Sequence, residues 1–271
     1  MRVVKETAVA GRTIYRAIKV SSGDHRKPRK GKRNITPEAV RKNNDRLAVR
    51  NLMLLMNANF DAGSTHCTLT YENAPDPERA KKELRNFIAR LRTRFRKTEQ
   101  DLKYIVTTEY QNKRIHHHII VNTLDLEMVS DCWGKGFVRS TRLDSKGNYK
   151  KLAEYFIKET KKSAGGGTKR RYAASRNLFR PVIKRQDAKP SELFEEDPKP
   201  VKGYYIDRES FRRFRHPVTG LEHMEYIMIA EADPRRYKVW PRGTPVSGRE
   251  HFVCDLQGDQ QEFQYGGSGE P

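Results

Sequence analysis

Three consecutive histidines lie inside a short apolar segment, Arg114-Ile115-His116-His117-His118-Ile119-Ile120-Val121. The β-branched residues around them favour a strand. Side chains of a strand alternate between its two faces, so His116 and His118 are predicted to share one face and His117 to lie on the other. This alternation constrains the chain most, because two imidazoles on one face of a sheet are the start of a divalent-metal site.

Glu109 ends the segment that precedes the histidine strand, and a tight polar turn between the two predicts a hairpin. The hairpin would carry the Glu109 carboxylate alongside the histidines as the third ligand, with Gln111 as the alternative. Two imidazoles and one carboxylate suit Mn²⁺, Co²⁺ or Ni²⁺, and Mg²⁺ when substrate oxygens complete the shell. The competing interpretation is that the histidines only decorate a sheet.

A tyrosine and a lysine follow on a predicted helix, in the run Tyr155-Phe156-Ile157-Lys158. Residues three apart share a helical face, so both side chains would point the same way. A tyrosine hydroxyl, with an ordinary pKa of about 10, needs a nearby cation or a basic site to act as a nucleophile at neutral pH. A lysine can neutralise phosphate charge in a transition state. Close to a metal, the pair indicates phosphodiester chemistry, although alone it also describes a solvated helix with one core tyrosine.

The charge of the chain indicates its partner. Among 271 residues, 55 are Lys or Arg and 34 are Asp or Glu, which gives a net charge of +21. Because so much positive charge repels itself unless a polyanion relieves it, nucleic acid is the expected partner. The side chains expected to contact DNA are Arg114, Lys151, Lys161 and Lys162. A basic segment at 24–33 is either a solvated linker or a further phosphate contact.

Other features indicate a soluble protein without a membrane partner. No apolar run approaches the roughly 20 residues needed to span a bilayer, and the first residues lack the apolar core of a signal peptide. The three cysteines, Cys67, Cys132 and Cys254, are widely spaced and are expected to be reduced thiols.

Hydrophobic periodicity predicts an α+β fold, with a central antiparallel sheet flanked by helices and a β-rich region towards the C-terminus. An N-terminal hairpin turns at Gly11, and Val40, Leu47, Leu54 and Ala58 form the core stripe of the first helix. Helices are predicted over 36–60, 77–97, 124–133 and 148–160, and strands over 64–72, 103–110, 114–122, 136–143, 202–216 and 221–230. The predicted domains are a hairpin with a basic loop at 1–33, a central domain at 34–185, a β-rich extension at 186–256 and a disordered tail at 257–271.

The order of these segments resembles the HUH endonucleases, and among them the rolling-circle replication initiators of bacterial plasmids and phages. The residues that carry the resemblance are Thr68-Leu69-Thr70-Tyr71, Glu109, His116-His117-His118-Ile119 and Tyr155-Phe156-Ile157-Lys158. It covers about 34–185 and takes in Asn57-Ala58-Asn59-Phe60 and the segment 175–181. Order and spacing together are specific, whereas each piece alone is not. One departure is His117, where the family usually has a hydrophobic residue.

The resemblance implies a metal-dependent enzyme that nicks and rejoins single-stranded or hairpin DNA at a replication origin, on an antiparallel sheet with an RRM-like palm. His116, His118 and Glu109 would hold Mg²⁺ or Mn²⁺. Tyr155 would attack, leaving a 5′-phosphotyrosine link and a free 3′-hydroxyl, and Lys158 would steady the phosphate. Tyr149 lies six residues before Tyr155, which does not match the two-tyrosine subgroup, so a single nucleophile is expected.

The resemblance also implies partners and leaves alternatives. No Gly-x-x-x-x-Gly-Lys-[Ser/Thr] loop is present in the sequence, so a host helicase and a DNA polymerase are expected partners, in the cytoplasm of a prokaryotic host. A mobilisation relaxase or a single-tyrosine transposase would use the same chemistry, and a non-catalytic basic DNA-binding protein would need only the charge. The position of Tyr155 after the histidines favours the initiator over a relaxase.

Overall fold

The computed structural model of the chain describes residues 2–21, 38–111, 114–162 and 171–231, without the side chains of residues 111, 161 and 162. Ten strands and five helices lie in these ranges. The strands are β1 (Arg2–Ala10), β2 (Thr13–Ser21), β3 (Thr65–Leu69), β4 (Tyr104–Gln111), β5 (Arg114–Val121), β6 (Val138–Arg142), β7 (Ala173–Ala174), β8 (Lys184–Asp187), β9 (Tyr204–Arg215) and β10 (Glu222–Ala230). The helices are α1 (Glu38–Asn59), α2 (Pro77–Lys97), α3 (Leu126–Trp133), α4 (Lys150–Lys162) and α5 (Pro190–Leu193).

These strands form two antiparallel sheets of five strands each. The hairpin sheet has the order β8-β1-β2-β10-β9 and is built on the N-terminal hairpin. The histidine sheet has the order β6-β3-β5-β4-β7 and carries the three histidines on its central strand. The predicted α+β class is confirmed, and so is the β-rich region towards the C-terminus.

Helices α1 and α4 pack between the two sheets. Their apolar side chains share one buried cluster with residues of both sheets, including Leu52 and Met56 of α1, Phe156 of α4, Ile120 of β5 and Ile227 of β10. A helix covered on two sides needs apolar residues around its whole circumference. The second half of α1 is accordingly buried at every position from Leu52 to Asn57, rather than along the predicted heptad stripe alone.

The outer faces of the two sheets are covered separately. Helices α2 and α3 pack on the histidine sheet, where Phe87, Leu91 and Trp133 are fully buried. The outer face of the hairpin sheet buries Met224 and Tyr226 with Leu193 of the short helix α5. Each strand of the histidine sheet therefore faces helices on both sides, and alternate residues enter two different cores.

The first and last parts of the described chain meet in the hairpin sheet. Strand β2 pairs with β10, with Lys19 opposite His223, and β1 pairs with β8, with Glu6 opposite Arg185. The hairpin predicted at 1–20 and the hairpin predicted at 202–230 are both present, and they belong to one sheet. The domain boundaries predicted at 33, 185 and 256 stay predictions.

Most predicted elements are present with ends shifted by a few residues. Three short elements were missed: β7, β8 and α5. They have two to four residues each, too few for a periodic pattern to develop. The predicted basic loop at 24–33, the flexible linker after α4 and the tail at 257–271 lie outside the described residues. In the part of the chain that the structure describes, no helix is both long and apolar enough to cross a membrane.

The turn of the N-terminal hairpin touches α1 at one glycine. Gly11 has a φ of +53°, and a Cβ there would lie 1.9 Å from the backbone oxygen of Asn57. Gly220, in the β9–β10 turn, has a similar φ of +67° but open space around it. The two glycines thus share a left-handed backbone and differ in whether α1 lies against them.

We therefore expect Gly11→Ala to destabilise the protein more than Gly220→Ala. The control should cost about 1–2 kcal/mol for the left-handed backbone alone. Gly11→Ala should cost about 1–3 kcal/mol more, because the added methyl group has to displace backbone of α1. Urea denaturation would measure both free energies of unfolding, and equal losses would contradict the close approach of turn and helix.

Candidate active site

The β4–β5 hairpin brings three metal-type ligands together. Glu109 on β4 lies directly opposite His116 on β5, and His118 follows two residues later on the same face. One ligand atom from each of the three residues lies within 4.8 Å of the other two. The predicted same-face pair of imidazoles and its carboxylate are thus present in the structure.

The cluster is compact and opens on one side. The Nε2 atom of His116 lies 2.9 Å from Oε2 of Glu109, and Nε2 of His118 lies 3.6 Å from the same oxygen. Glu109 and His118 are buried, whereas the side chain of His116 is 26% exposed. A ligand from solvent would therefore approach past His116.

The donor set fits a divalent cation. Burial, with the charges of neighbouring histidines, lowers the pKa of His118 to about 3, so its imidazole is neutral at physiological pH, as a metal ligand must be. Its Nδ1 lies 3.2 Å from the hydroxyl of Thr68, which fixes the ring and leaves Nε2 towards the cluster. Gln111, the alternative ligand, has a side chain outside the described set.

Tyr155 lies beside this cluster. Its hydroxyl is 3.2 Å from Nε2 of His118, and the two rings meet edge to face with centroids 5.0 Å apart. The residue is 38% exposed, so its hydroxyl is within reach of a substrate in solvent. Burial, followed by the charges of Glu159 and Glu109, raises the pKa of Tyr155 to about 12. Without a cation in the cluster, the hydroxyl is therefore protonated at neutral pH.

Helix α4 is held in place by Asn57 of α1. The Asn57 side chain accepts a hydrogen bond of 2.9 Å from the backbone N–H of Tyr149, just before α4, and donates one of 2.9 Å to the hydroxyl of Thr13. One buried amide thus joins α1, α4 and the N-terminal hairpin. On the next turns, Phe156 and Ile157 are buried in the core between the sheets, which orients Tyr155 towards the histidines.

A second amide in the same sequence segment joins α1 to the chain after α4. Asn59 donates to the backbone oxygen of Phe179 and accepts from its backbone N–H, both at 2.8 Å. The two segments singled out on either side of the main motifs, 57–60 and 175–181, are therefore in direct contact. Their role in the described structure is to fix the frame around α4.

The other predicted site residues are more exposed. Lys158 is exposed one turn after Tyr155, and Arg114 is exposed at the start of β5. Lys151, also exposed on α4, forms an ion pair of 3.1 Å with Glu209 of β9. Lys161 and Lys162 end α4, and their side chains lie outside the described set.

His117 lies on the opposite face, as its position in the alternation predicts. Its Nε2 is 2.8 Å from the hydroxyl of Tyr71, and its Nδ1 is 2.8 Å from the hydroxyl of Thr108. Burial, and then the charge of His116, lowers its pKa to about 3, so the ring is neutral. A histidine replaces the usual hydrophobic residue here because both ring nitrogens have hydroxyl partners in the core.

His66 was missed by the sequence analysis. Its ring centroid lies 5.7 Å from that of His118 and 6.4 Å from that of Tyr155, and burial lowers its pKa to about 4. Its Nε2 atom is buried and has no hydrogen-bond partner among the described residues. The signal that could have found it is the alternation of β3, which places His66 and Thr68 on one face.

Tyr149 is excluded as a second nucleophile by its surroundings. Its side chain is 3% exposed, and its hydroxyl donates a hydrogen bond of 3.0 Å to the backbone oxygen of Asp144. Burial raises its pKa above the ordinary value. Tyr155 is therefore the tyrosine that the structure presents at the cluster.

One comparison with known proteins covers this site. A family model of replication-associated proteins, those of the ORF2 type, matches residues 64–164. The matched segment begins just before β3 and ends just after α4, so it contains the three ligand-type residues and Tyr155. No curated protein and no solved structure matches the chain. Over this segment the chain is similar to replication-associated proteins.

The cluster predicts a metal affinity that depends on alternate residues. His116→Ala and His118→Ala should each weaken Mn²⁺ binding by more than about tenfold, since loss of a mere supporting residue already costs that much at metal sites. His117→Leu, in the same strand but on the other face, should leave the affinity unchanged. Isothermal titration calorimetry would measure all three variants, and an equal loss in His117→Leu would contradict the assignment of faces.

Proposed function

We propose that the protein is a replication initiator that nicks and rejoins single-stranded DNA through a tyrosine nucleophile and a divalent metal. The observation that carries the proposal is the hydroxyl of Tyr155, partly exposed and 3.2 Å from a histidine of the Glu109–His116–His118 cluster. The match of the surrounding segment to replication-associated proteins supports the same role. The net charge of +21 suits a DNA partner.

In the proposed reaction, the hydroxyl oxygen of Tyr155 attacks the phosphorus of a phosphodiester. A new P–O bond to the tyrosine forms as the bond from phosphorus to the 3′-oxygen breaks. The phenolic proton leaves Tyr155, and the departing 3′-oxygen takes up a proton as it becomes a hydroxyl. The DNA is then linked through its 5′-phosphate to Tyr155. Reversal by a 3′-hydroxyl rejoins the strand, since the energy of the bond is retained in the phosphotyrosine.

The charges around Tyr155 explain why a cation belongs in this site. Glu109 and Glu159 both raise the pKa of Tyr155, and the same negative charges would repel an incoming phosphate. A divalent cation held by Glu109, His116 and His118, Mg²⁺ or Mn²⁺, would polarise the scissile phosphate and favour the phenolate. The choice between these metals rests on the cell, because the donor set accepts either.

Basic side chains around the tyrosine would hold the DNA strand. Lys151, Tyr155 and Lys158 are spaced four and three residues apart, so they lie along one face of α4, and all three are exposed. Lys158 would steady the phosphate next to the attacking oxygen. Arg114 at the start of β5, with Lys161 and Lys162 at the end of α4, would extend the contact to neighbouring phosphates.

The edge strand β6 adds a surface on the histidine side of the sheet. Arg139 is exposed and lies opposite Thr68, which itself lies opposite His118. Residues directly opposite in antiparallel strands share a face, so Arg139 is on the face of the cluster. Phe137, just before this strand, is 71% exposed and could stack on an unpaired base. These two residues favour single-stranded DNA crossing the sheet.

The proposed product fits initiation of replication. Cleavage leaves a free 3′-hydroxyl, which a DNA polymerase can extend, while the 5′-end stays bound to Tyr155. A single-stranded or hairpin segment at an origin would supply an exposed backbone. A host helicase would unwind the duplex ahead of the polymerase.

Tyr155→Phe tests the proposal, with Tyr149→Phe as its matched control. Labelled single-stranded oligonucleotides with Mn²⁺ should give a covalent adduct with the wild type and with Tyr149→Phe. Tyr155→Phe should give no adduct but should bind the oligonucleotide with wild-type affinity, because only the attacking oxygen is removed. A denaturing gel detects the adduct, and peptide mapping locates it.

The same experiment separates the alternatives. A non-catalytic DNA-binding protein would form no adduct in any variant. An adduct that persists in Tyr155→Phe would assign the nucleophile to another residue and would refute the role of Tyr155.

A further inference from the structure

A basic pocket lies between α1 and the hairpin sheet, apart from the residues of the histidine cluster. Its volume is about 310 Å³. Its walls come from the end of β2, the middle of α1, β8 and the β9–β10 turn. The charged or polar side chains that line it include Lys19, Arg46, Arg50, Arg185, Asn43 and Ser21.

One buried carboxylate holds three of these cations. Glu6 of β1 is fully buried and lies 2.7 Å from Lys19, 2.9 Å from Arg185 and 3.4 Å from Arg50. A single carboxylate neutralises one of the three charges. The side chains of Lys19 and Arg50 are only 28% and 16% exposed, so water screens the remaining repulsion incompletely.

The remaining charges of the pocket balance each other. Arg46 forms an ion pair of 2.7 Å with the buried Glu225. Glu222, which also lines the pocket, accepts a hydrogen bond of 2.9 Å from Arg215. The excess positive charge around Glu6 therefore remains uncompensated by the acidic groups of the pocket wall.

Arg46 is held ready in the pocket wall with a donor unused. Its guanidinium lies 5.2 Å from the ring centroid of Phe214 and also donates to the side chain of Asn43 at 3.2 Å. Its Nε atom is buried and, within the described part of the chain, has no hydrogen-bond partner. A buried donor without an acceptor is rare in a folded protein and indicates that a ligand supplies the acceptor.

Two histidines in the wall contribute little charge of their own. Burial, and then the charge of Arg46, lowers the pKa of His216, and burial lowers the pKa of His223 despite its bond to Glu225. The positive character of the pocket therefore comes from lysine and arginine, which keep their charge at any physiological pH.

A purely structural role explains only part of this arrangement. An ion pair between Glu6 and one cation of α1 would be enough to attach the helix to the sheet. Two further cations add repulsion, and the free Nε of Arg46 adds a cost of desolvation. An anion with several oxygen acceptors would relieve both.

We propose that this pocket binds a backbone phosphate of DNA at a distance from the nicking site. The ligand class rests on the proposed function, while the pocket itself does not. A volume of 310 Å³ equals that of roughly ten water molecules at about 30 Å³ each, which is enough for a phosphodiester and part of its sugar. The pocket fixes the position of the DNA on the hairpin sheet without reading its sequence.

The test uses a double variant, Arg46→Lys with Arg185→Gln, in the full chain. Arg46→Lys keeps the ion pair with Glu225 and removes the unused Nε. Arg185→Gln removes the more exposed of the Glu6 partners, at 60% exposure, and leaves Lys19 and Arg50 in place. Arg92→Gln, on the exposed face of α2, removes the same net charge and serves as the control. Thermal melts would check that all variants fold.

Fluorescence anisotropy with a short blunt-ended duplex would measure affinity over a range of salt concentrations. The double variant should bind several-fold more weakly than the control, and the slope of log K against log salt should fall by about 1 for each lost phosphate contact. Formation of the Tyr155 adduct on single-stranded DNA should be unchanged. Equal affinities of the double variant and Arg92→Gln would overturn the proposal.

A second arm distinguishes DNA from free phosphate. Inorganic phosphate should compete with the duplex for the wild type more strongly than for the double variant. If phosphate raises the melting temperature of the wild type alone while duplex affinities stay equal, the pocket binds free phosphate and the DNA proposal is wrong. Absence of any adduct in the wild type would refute the proposed nicking function and leave the duplex result to stand alone.

Discussion

The pairing of Glu109 with His116 across the β4–β5 hairpin is the contact on which the candidate site depends. Antiparallel register places these two residues directly opposite each other, and the pleat then returns His118 to the same face. A slip of one residue would turn both histidines into the core of α2 and α3 and would bring His117 to the site. The apolar neighbours Ile119 and Val121, fully buried on the opposite face, oppose such a slip.

The second constraint is the position of α4 between two sheets. Phe156 and Ile157 are buried on the core side of the helix, while Tyr155 stays partly exposed beside His118. The Asn57 amide joins α4 to α1 and to the N-terminal hairpin, so the hairpin sheet supports the helix that carries the tyrosine. A site on the histidine sheet thus depends on strands from both ends of the described chain.

Charge is divided between the two sides of α1. The histidine side has carboxylates next to the tyrosine, which a bound cation would offset. The hairpin side has three cations around Glu6, which a bound anion would offset. Both arrangements leave a local imbalance in a partly buried place, where water screens charge less than at the surface. DNA with a divalent metal would satisfy the two sides together.

The sequence by itself determined the α+β class, the long elements and the same-face pair of His116 and His118, because periods of 2 and 3.6 residues are local properties of a chain. It also indicated Glu109 and Tyr155, through a hairpin and the order of motifs. Tertiary structure alone decided that the two terminal hairpins share a sheet and that α1 is buried on all sides at Leu52–Asn57. It also decided that His66 lies beside Tyr155 and that Glu6 gathers Lys19, Arg50 and Arg185. These contacts join residues far apart in the chain, and no local pattern encodes which distant strand or helix a given face will meet.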